Sequence, residues 1–337
     1  MSYLPASREG LGAATPVRPH PDLAIVVPCH NEEEGLPALL SRLERLSDDL
    51  LARRLPVRPL RLVLVDDGSR DGTWEAIRTA ATPLHVTAVR LSRNHGHQNA
   101  LIAGLAHAEG DAVVSMDADL QDDPDAVIGM VEAYARGAEI VYGVRASRAS
   151  DTFAKRSSAR AYYGALRRLG VDIIPDHADF RLMSRRALQA LDAFGETNLF
   201  LRGMVRKLGF ASEIVHYDRA PRTAGESSYP VGKMVALALE GVTSLSVKPL
   251  RMIVGAGFAV AGIALLFGLY AAAAWAFGRT VPGWTSIVLP LSLLGGMHLV
   301  ALGVIGEYVG KIYEETKRRP RFIVDECVPA GGTGRLA

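Results

Sequence analysis

The sequence predicts an α/β fold with a mostly parallel sheet, followed by a helical hairpin long enough to cross a membrane. Three observations predict it. From residue 22, apolar runs of strand length alternate with segments of helical spacing, the pattern of a sheet covered by helices. Acid-rich polar turns follow three of those runs. Two long uncharged runs then occupy 252–277 and 281–306.

The elements follow in order. The first 21 residues, MSYLPASREGLGAATPVRPHP, lack a long apolar core. They read as a flexible tail and not as a signal peptide. LAIVVP is continuously apolar, as strands buried on both faces are. EEEGLPALLSRLERL has helical spacing, and LRLVLVDDGS is a second strand ending in acids and a turn. TWEAIRTAA reads as a helix, HVTAVRLS as a strand and HQNALIAGLAHA as a helix. DAVVSMDAD, PDAVIGMVEAYARG and AEIVYGVR continue as strand, helix, strand. No internal repeat is visible. No G-x-G-x-x-G follows the first strand, so a dinucleotide-binding domain is not expected.

Each uncharged run exceeds the roughly 20 residues that cross a bilayer. The short link between them favours a hairpin. Lys248 and Arg251 flank the first run, and Lys311, Lys317, Arg318, Arg319 and Arg321 follow the second. This asymmetry places both ends in the cytoplasm. Two buried helices of a large soluble core are the alternative. Two stretches look interfacial. DTFAKRSSARAYYGALRRLG is basic and amphipathic, and reads either as a headgroup-level helix or as an ordinary docked one. VGKMVALALEGVTSLSVKPLR leads into the first run and reads as interfacial. The net charge of +2 says little about partners, and no nucleic acid is expected. Cys29 and Cys327 are the only cysteines. A cytosolic location keeps both reduced, and Cys29 reads as a packed small residue.

Ligands of open α/β sheets bind beyond the carboxyl ends of the strands. Three polar clusters fall there: PCHNEEEG, DDGSRDGT and DADLQDDP. Clustered carboxylates repel unless a cation or hydrogen-bond donors offset them. An Asp-x-Asp at a strand end therefore suggests Mg²⁺ or Mn²⁺ gripping a diphosphate, since such ions take oxygen ligands and complete their shell with phosphates. A solvated turn is the plainer reading of so short a motif. Asp66 and Asp67 sit where carboxylates accept hydrogen bonds from a base or ribose, or simply close a turn. His95 and His97 read as residues at a helix start, with no further ligand at a metal spacing. His298 reads as helix packing, although a polar residue at bilayer depth is also a functional candidate.

VVPCHNEEEG, VDDGSRDGT, LSRNHGHQNALIAGLAHAEGD, MDADLQDDP, YGVRASR, ADFRLMSRRAL, FLRGMVRKLGF, RTAGESSYP, KPLR and GGMHLVALGVIGEYVGKIYEETKRRP occur in this order. On this series the chain resembles the glycosyltransferase family 2 enzymes over about residues 22–325. More closely it resembles the membrane-anchored polyprenyl-phosphate glycosyltransferases, which include bacterial glucosyltransferases and dolichyl-phosphate mannose synthases. The resemblance implies a GT-A nucleotide-sugar-binding fold. Pro28, Asn31, Glu32, Asp66 and Asp67 would line the nucleotide pocket. Asp117, Asp119 and Gln121 would hold Mg²⁺ or Mn²⁺, with Asp117 also near the donor. Arg222 and Ser227 would reach the diphosphate, and Asp179 matches the catalytic carboxylate. Arg145, Arg148, Lys155 and Arg156 would meet the acceptor phosphate. QDDP stands where many relatives have QDPP, and His298 where many have Gln.

The implied organisation is a tail over 1–21, a cytosolic catalytic domain over 22–229 and an interfacial helix over 230–251. A transmembrane hairpin over 252–310 and a cytosolic tail over 311–337 follow. The implied reaction is inverting transfer of glucose from UDP-glucose to a polyprenyl phosphate such as undecaprenyl phosphate, at the inner membrane, for the cell envelope. Mannose from GDP-mannose is the alternative, and a homotetramer is an expectation of the resemblance alone. A processive polysaccharide synthase needs Q-x-x-R-W, and none of Gln98, Gln121 and Gln189 begins it. An aspartyl phosphotransferase leaves VDDGSRDGT unexplained. A non-catalytic membrane scaffold has no reason to place acids at three strand ends.

Overall fold

The computed structural model describes residues 21–53, 55, 60–145, 164, 169–170, 177–196, 200–218, 242–244, 246–277 and 283–330. Among these residues, eight strands run β1 (Leu23–Cys29), β2 (Arg61–Asp66), β3 (His85–Leu91), β4 (Ala112–Ser115), β5 (Ile140–Arg145), β6 (His177–Ser184), β7 (Ser212–Tyr217) and β8 (Val324–Pro329). The helices are α1 (Leu36–Ala52), α2 (Thr73–Arg78), α3 (His97–His107), α4 (Ala126–Ala135), α5 (Arg185–Asp192), α6 (Leu201–Lys207), α7 (Lys248–Ala276) and α8 (Trp284–Thr316).

All strands form one sheet in the order β7-β5-β6-β4-β1-β2-β3-β8. β1 pairs parallel with β2 and β4, β2 with β3, and β5 with β7. β6 runs antiparallel between β4 and β5. This is the expected α/β class with a mostly parallel sheet. The apolar run of β1 is wholly buried. Its side chains alternate by face, as the pleat requires. Leu23, Ile25, Val27 and Cys29 join a core under α1, α2 and α4. Ala24 and Val26 join the opposite core, under α3, α5 and α6. The small residues on that second face let α3 come close. A Cβ at Gly104 would lie 2.3 Å from Val26 Cγ1 and 2.9 Å from Val65 Cγ2.

Two features differ from the sequence expectation. The stretch 311–337 is not all tail: β8 pairs antiparallel with β3. The Ser92 N–H donates to the Ile323 carbonyl at 2.9 Å, and Phe322, Val324 and Cys327 pack on the core. A six-residue strand carrying Asp325 and Glu326 has too little apolar pattern to announce itself. The long helices also outrun the uncharged sequence. α7 begins at Lys248, inside the stretch expected to be interfacial, and α8 continues past 306 and through Pro290 to Thr316. Within them, Lys248–Tyr270 and Leu293–Thr316 have mean hydropathies of 2.3 and 1.4 and are long and apolar enough to cross a membrane. Neither window is buried in the molecule.

Candidate active site

The carboxyl ends of β1, β2 and β4 converge on a pocket of about 400 Å³. Pro28, His30, Glu32, Asp67, Asn94, His97, Asp117, Asp119, Asp179 and Arg202 contribute to its lining. The three acid-rich turns thus meet on one rim, because parallel neighbours end at the same edge.

The turns brace one another. The Asp67 N–H donates to the Cys29 carbonyl at 2.9 Å. The Asp67 carboxylate, 3% exposed, accepts the backbone N–H groups of His95 at 2.7 Å and Gly96 at 3.0 Å. It therefore holds the β3–α3 loop. Asp66 is wholly buried and accepts the Ser69 N–H at 3.1 Å. Asn31 takes a left-handed φ of 57°. Its side chain accepts the Arg70 N–H at 2.9 Å, and its own N–H donates to Ser69 Oγ at 3.0 Å. The His30 ring lies between these turns. Its Nδ1 is 2.9 Å from the Asp67 carbonyl, which only accepts, so Nδ1 carries the proton. Nε2 then accepts from Asn94 Nδ2 at 3.1 Å and Asn31 Nδ2 at 3.2 Å.

Asp117 and Asp119 line the pocket beside one another. Leu120, directly after them, has a φ of 52°, and the Gln121 N–H donates to Asp119 Oδ1 at 3.1 Å. A left-handed leucine costs on the order of 1–2 kcal/mol, which the tight turn imposes. The Gln121 residue is 3% exposed and does not line the pocket. Burial pushes the Asp117 carboxyl up; His97 opposes the rise, and Asp122, Asp179 and Asp119 add to it. Burial likewise raises Glu32, helped by Asp119, Asp71 and Asp117. A site that makes carboxylates costly to ionise calls for a cation. Among the described residues, no three His, Cys, Asp or Glu side chains converge to hold a metal unaided. Asp117 Oδ1 is nevertheless buried without a hydrogen bond among the described residues. The two carboxylates that line the pocket suit Mg²⁺ or Mn²⁺, which would take its remaining ligands from phosphate and water.

Asp179 stands at the back of the pocket, 6% exposed. β6 places it there, and Ser115 Oγ donates to its carbonyl at 2.5 Å. The fully buried Arg181 donates to Oδ1. Arg202 Nη2 is 3.3 Å from Oδ2, and His97 Nε2 is 3.6 Å from it. Burial alone would raise this carboxyl, but Arg181, His97 and Arg202 together hold it well below the usual carboxylate range. His97 also lies 3.4 Å from Asp117 Oδ1. The Asp179 interaction, outweighing burial and joined by Asp117, pushes the imidazole up.

The structure thus brings Pro28, Glu32, Asp67, Asp117, Asp119 and Asp179 to one pocket. Asn31 and Asp66 sit behind it as braces. Arg145, at the end of β5, faces buried Asp122 at 3.4 Å. Arg148, Lys155, Arg156, Arg222 and Ser227 lie outside the described residues, as does most of the interfacial stretch over 230–251. Sequence reasoning passed over His30, Asn94, His97 and Arg202. His97 looked like a helix start, which it is, as the first residue of α3. The signal that could have singled it out was an uncapped polar residue directly behind a glycine at a strand-to-helix turn.

Residues 24–208 match the model of the family described as glycosyl transferase family 2. Over 312 residues the chain is 44% identical to the uncharacterized glycosyltransferase YkoT of Bacillus subtilis (strain 168), covering 90% of this chain and 91% of that one. Over 311 residues it is 37% identical to the bactoprenol glucosyl transferase of Shigella phage SfV, covering 90% and 97%. A solved mannosyltransferase, PcManGT from Pyrobaculum calidifontis in complex with GDP-Man and Mn²⁺, matches with a TM-score of 0.45 at 20% identity, covering 90% and 91%. A family match over more than half the chain, and relatives above 30% identity along nine-tenths of it, agree with the motifs at the three strand ends: this chain belongs to glycosyl transferase family 2.

Proposed function

We propose that this glycosyltransferase moves glucose from UDP-glucose to a polyprenyl phosphate, with inversion, while a two-helix hairpin holds it in the inner membrane. One observation carries the reading. A pocket edged by Asp117, Asp119 and Asp179 belongs to the same chain as two unburied membrane-length helices. The 37% identity to a bactoprenol glucosyl transferase supports the acceptor and the sugar.

Asp117 and Asp119 would hold Mg²⁺ or Mn²⁺, which supplies charge stabilisation to the departing diphosphate. Glu32 and the His30–Asn94 pair face the nucleoside end. Arg202 is the cation of the described lining and counters charge on the phosphates. Arg222 and Ser227 belong to the same task by resemblance. An acceptor phosphate oxygen attacks the anomeric carbon as the bond to the nucleoside diphosphate breaks. A phosphate monoester with a second pKa of about 6 is largely dianionic at neutral pH. It therefore needs no base. Asp179, gripped by Arg181 and Arg202, orients its neighbours and keeps the back of the pocket ordered. Arg145, with Arg148, Lys155 and Arg156, meets the acceptor phosphate. β8 returns the chain from α8 to the sheet that α7 left, which supports both helix ends lying on the cytosolic side.

The test is direct transfer. Detergent-purified protein is incubated with undecaprenyl phosphate, Mg²⁺ and one radiolabelled nucleotide sugar at a time, and label is counted in the lipid phase. Label from UDP-glucose is the expected result. Label from GDP-mannose alone would replace glucose by mannose, and no label from any donor would overturn the reading.

A further inference from the structure

The acids of residues 117–125 divide by direction. Asp117 and Asp119 line the pocket. Asp123 and Asp125 face Arg42 on α1, at 3.4 and 2.6 Å. Asp122 goes to neither place. It is 2% exposed, and its Oδ1 accepts the Tyr217 hydroxyl at 2.5 Å. Arg145 Nη2 lies 3.4 Å from the same oxygen, and Oδ2 has no hydrogen-bond partner among the described residues. Tyr217 and Arg145 are register partners at the ends of β7 and β5. The Tyr217 ring stands edge-on to Phe180, with centroids 5.2 Å apart at 87°. Packing therefore seats the ring without help from its hydroxyl. Burial, then the bond to Asp122, pushes the phenol up, so it remains a donor.

A carboxylate this deep needs fixed partners to be tolerated. Tyr217 supplies one from the core, and Arg145 supplies the other from the half-exposed rim. A guanidinium carries five N–H donors, so Asp122 orients Arg145 without exhausting it. We propose that Tyr217 is a positioning residue for the acceptor: its hydroxyl fixes Asp122, and Asp122 aims the Arg145 guanidinium at the lipid phosphate. This rests on the reading above that Arg145 meets that phosphate.

Tyr217→Phe keeps the ring and removes only the hydroxyl. With undecaprenyl phosphate and UDP-glucose, the acceptor KM is expected to rise about tenfold, the scale of one hydrogen bond to a charged group. The donor KM stays at the wild-type value. Asp122→Asn should give the same split. In the Arg145→Lys background, Tyr217→Phe should add less than twofold, because residues that act through one group are not additive. The inference falls if Tyr217→Phe leaves the acceptor KM unchanged, if both KM values rise together, or if the two substitutions multiply independently. Loss of UDP binding by Tyr217→Phe would also overturn it, since the hydroxyl would then hold the fold and not the guanidinium. A wild-type protein that never labels the lipid sinks the parent reading instead, and this one with it.

Discussion

At the scale of single residues, the site is a contest between acids that repel and cations that gather them. Asp119 faces the pocket, and its carboxylate accepts a hydrogen bond from its own turn, from the Gln121 N–H. Asp119→Ala removes a proposed metal ligand while leaving the buried braces Asp66 and Asp67 in place. Transfer is expected to fall below detection, and UDP binding measured with EDTA present should match wild type. Asp179→Asn is the informative contrast. It keeps the shape but removes the charge that faces Arg181, Arg202 and His97. Leaving one partner of a buried pair uncompensated costs on the order of 3–5 kcal/mol. We expect kcat to drop at least about a hundredfold, with nucleotide affinity retained, read by single-turnover transfer and by UDP titration. Wild-type rates for both variants would remove these residues from the chemistry. The same contrast explains what the sequence could show. Asp117 and Asp119 were legible because acids at strand ends are costly and therefore noticed, whereas Asp179 stood out only through the resemblance of ADFRLM to the family. His97 and Arg202 were not legible. Each is an ordinary helix residue until folding sets it within 3.6 and 3.3 Å of Asp179.

At the scale of elements, the apolar runs of β1 to β5 announced themselves, and β6, β7 and β8 did not. β1 is apolar throughout, and β4 is wholly buried and apolar up to its last residue, Ser115. β6 carries Asp179 and Arg181 inside the core, and that polarity hid it from an apolar pattern search. β7 alternates exposed and half-buried positions along most of its length. The positions of the loops, and so of the pocket, depend on how closely helices and turns approach the sheet. Two glycines test this separately. Gly104→Ala drives a methyl into Val26 and Val65, whose branched side chains have little freedom to move. Overpacking of this kind costs about 1–3 kcal/mol, so the melting temperature should fall while folded protein binds nucleotide normally. Gly68 has a φ of 62°, and a Cβ there would lie 2.4 Å from backbone atoms of Arg93 and Asn94. Gly68→Ala must displace the loop that Asp67 holds. Nucleotide binding should therefore weaken by more than tenfold even where the melting temperature changes little. Equal effects of both substitutions on binding would mean that the β3–α3 loop does not shape the pocket.

At the scale of the whole molecule, the return strand bears on how the proposed hairpin would set the pocket against the lipid. α7 has 29 residues and α8 has 33, so each rises roughly 43–50 Å, more than the roughly 30 Å of hydrocarbon they would cross. The excess lets the helix ends carry charge: Lys248 and Arg251 open α7, and Lys311 lies near the end of α8. Because β8 pairs with β3 in the sheet that also holds β1, the chain must come back to the side it left. Two helices crossing once each satisfy that condition, and three or one would not. If α7 and α8 cross as proposed, Gly283, just before α8, lies on the opposite side from Ser246, just before α7. The prediction is made in a chain with Cys29 and Cys327 replaced by serine. A membrane-impermeant thiol reagent added to intact cells should label Gly283→Cys and spare Ser246→Cys, and inverted vesicles should reverse the pattern. Labelling of both positions from one side would mean that α7 and α8 lie along the surface, and would leave the acceptor to reach Arg145 without a hairpin to fix the height of the pocket.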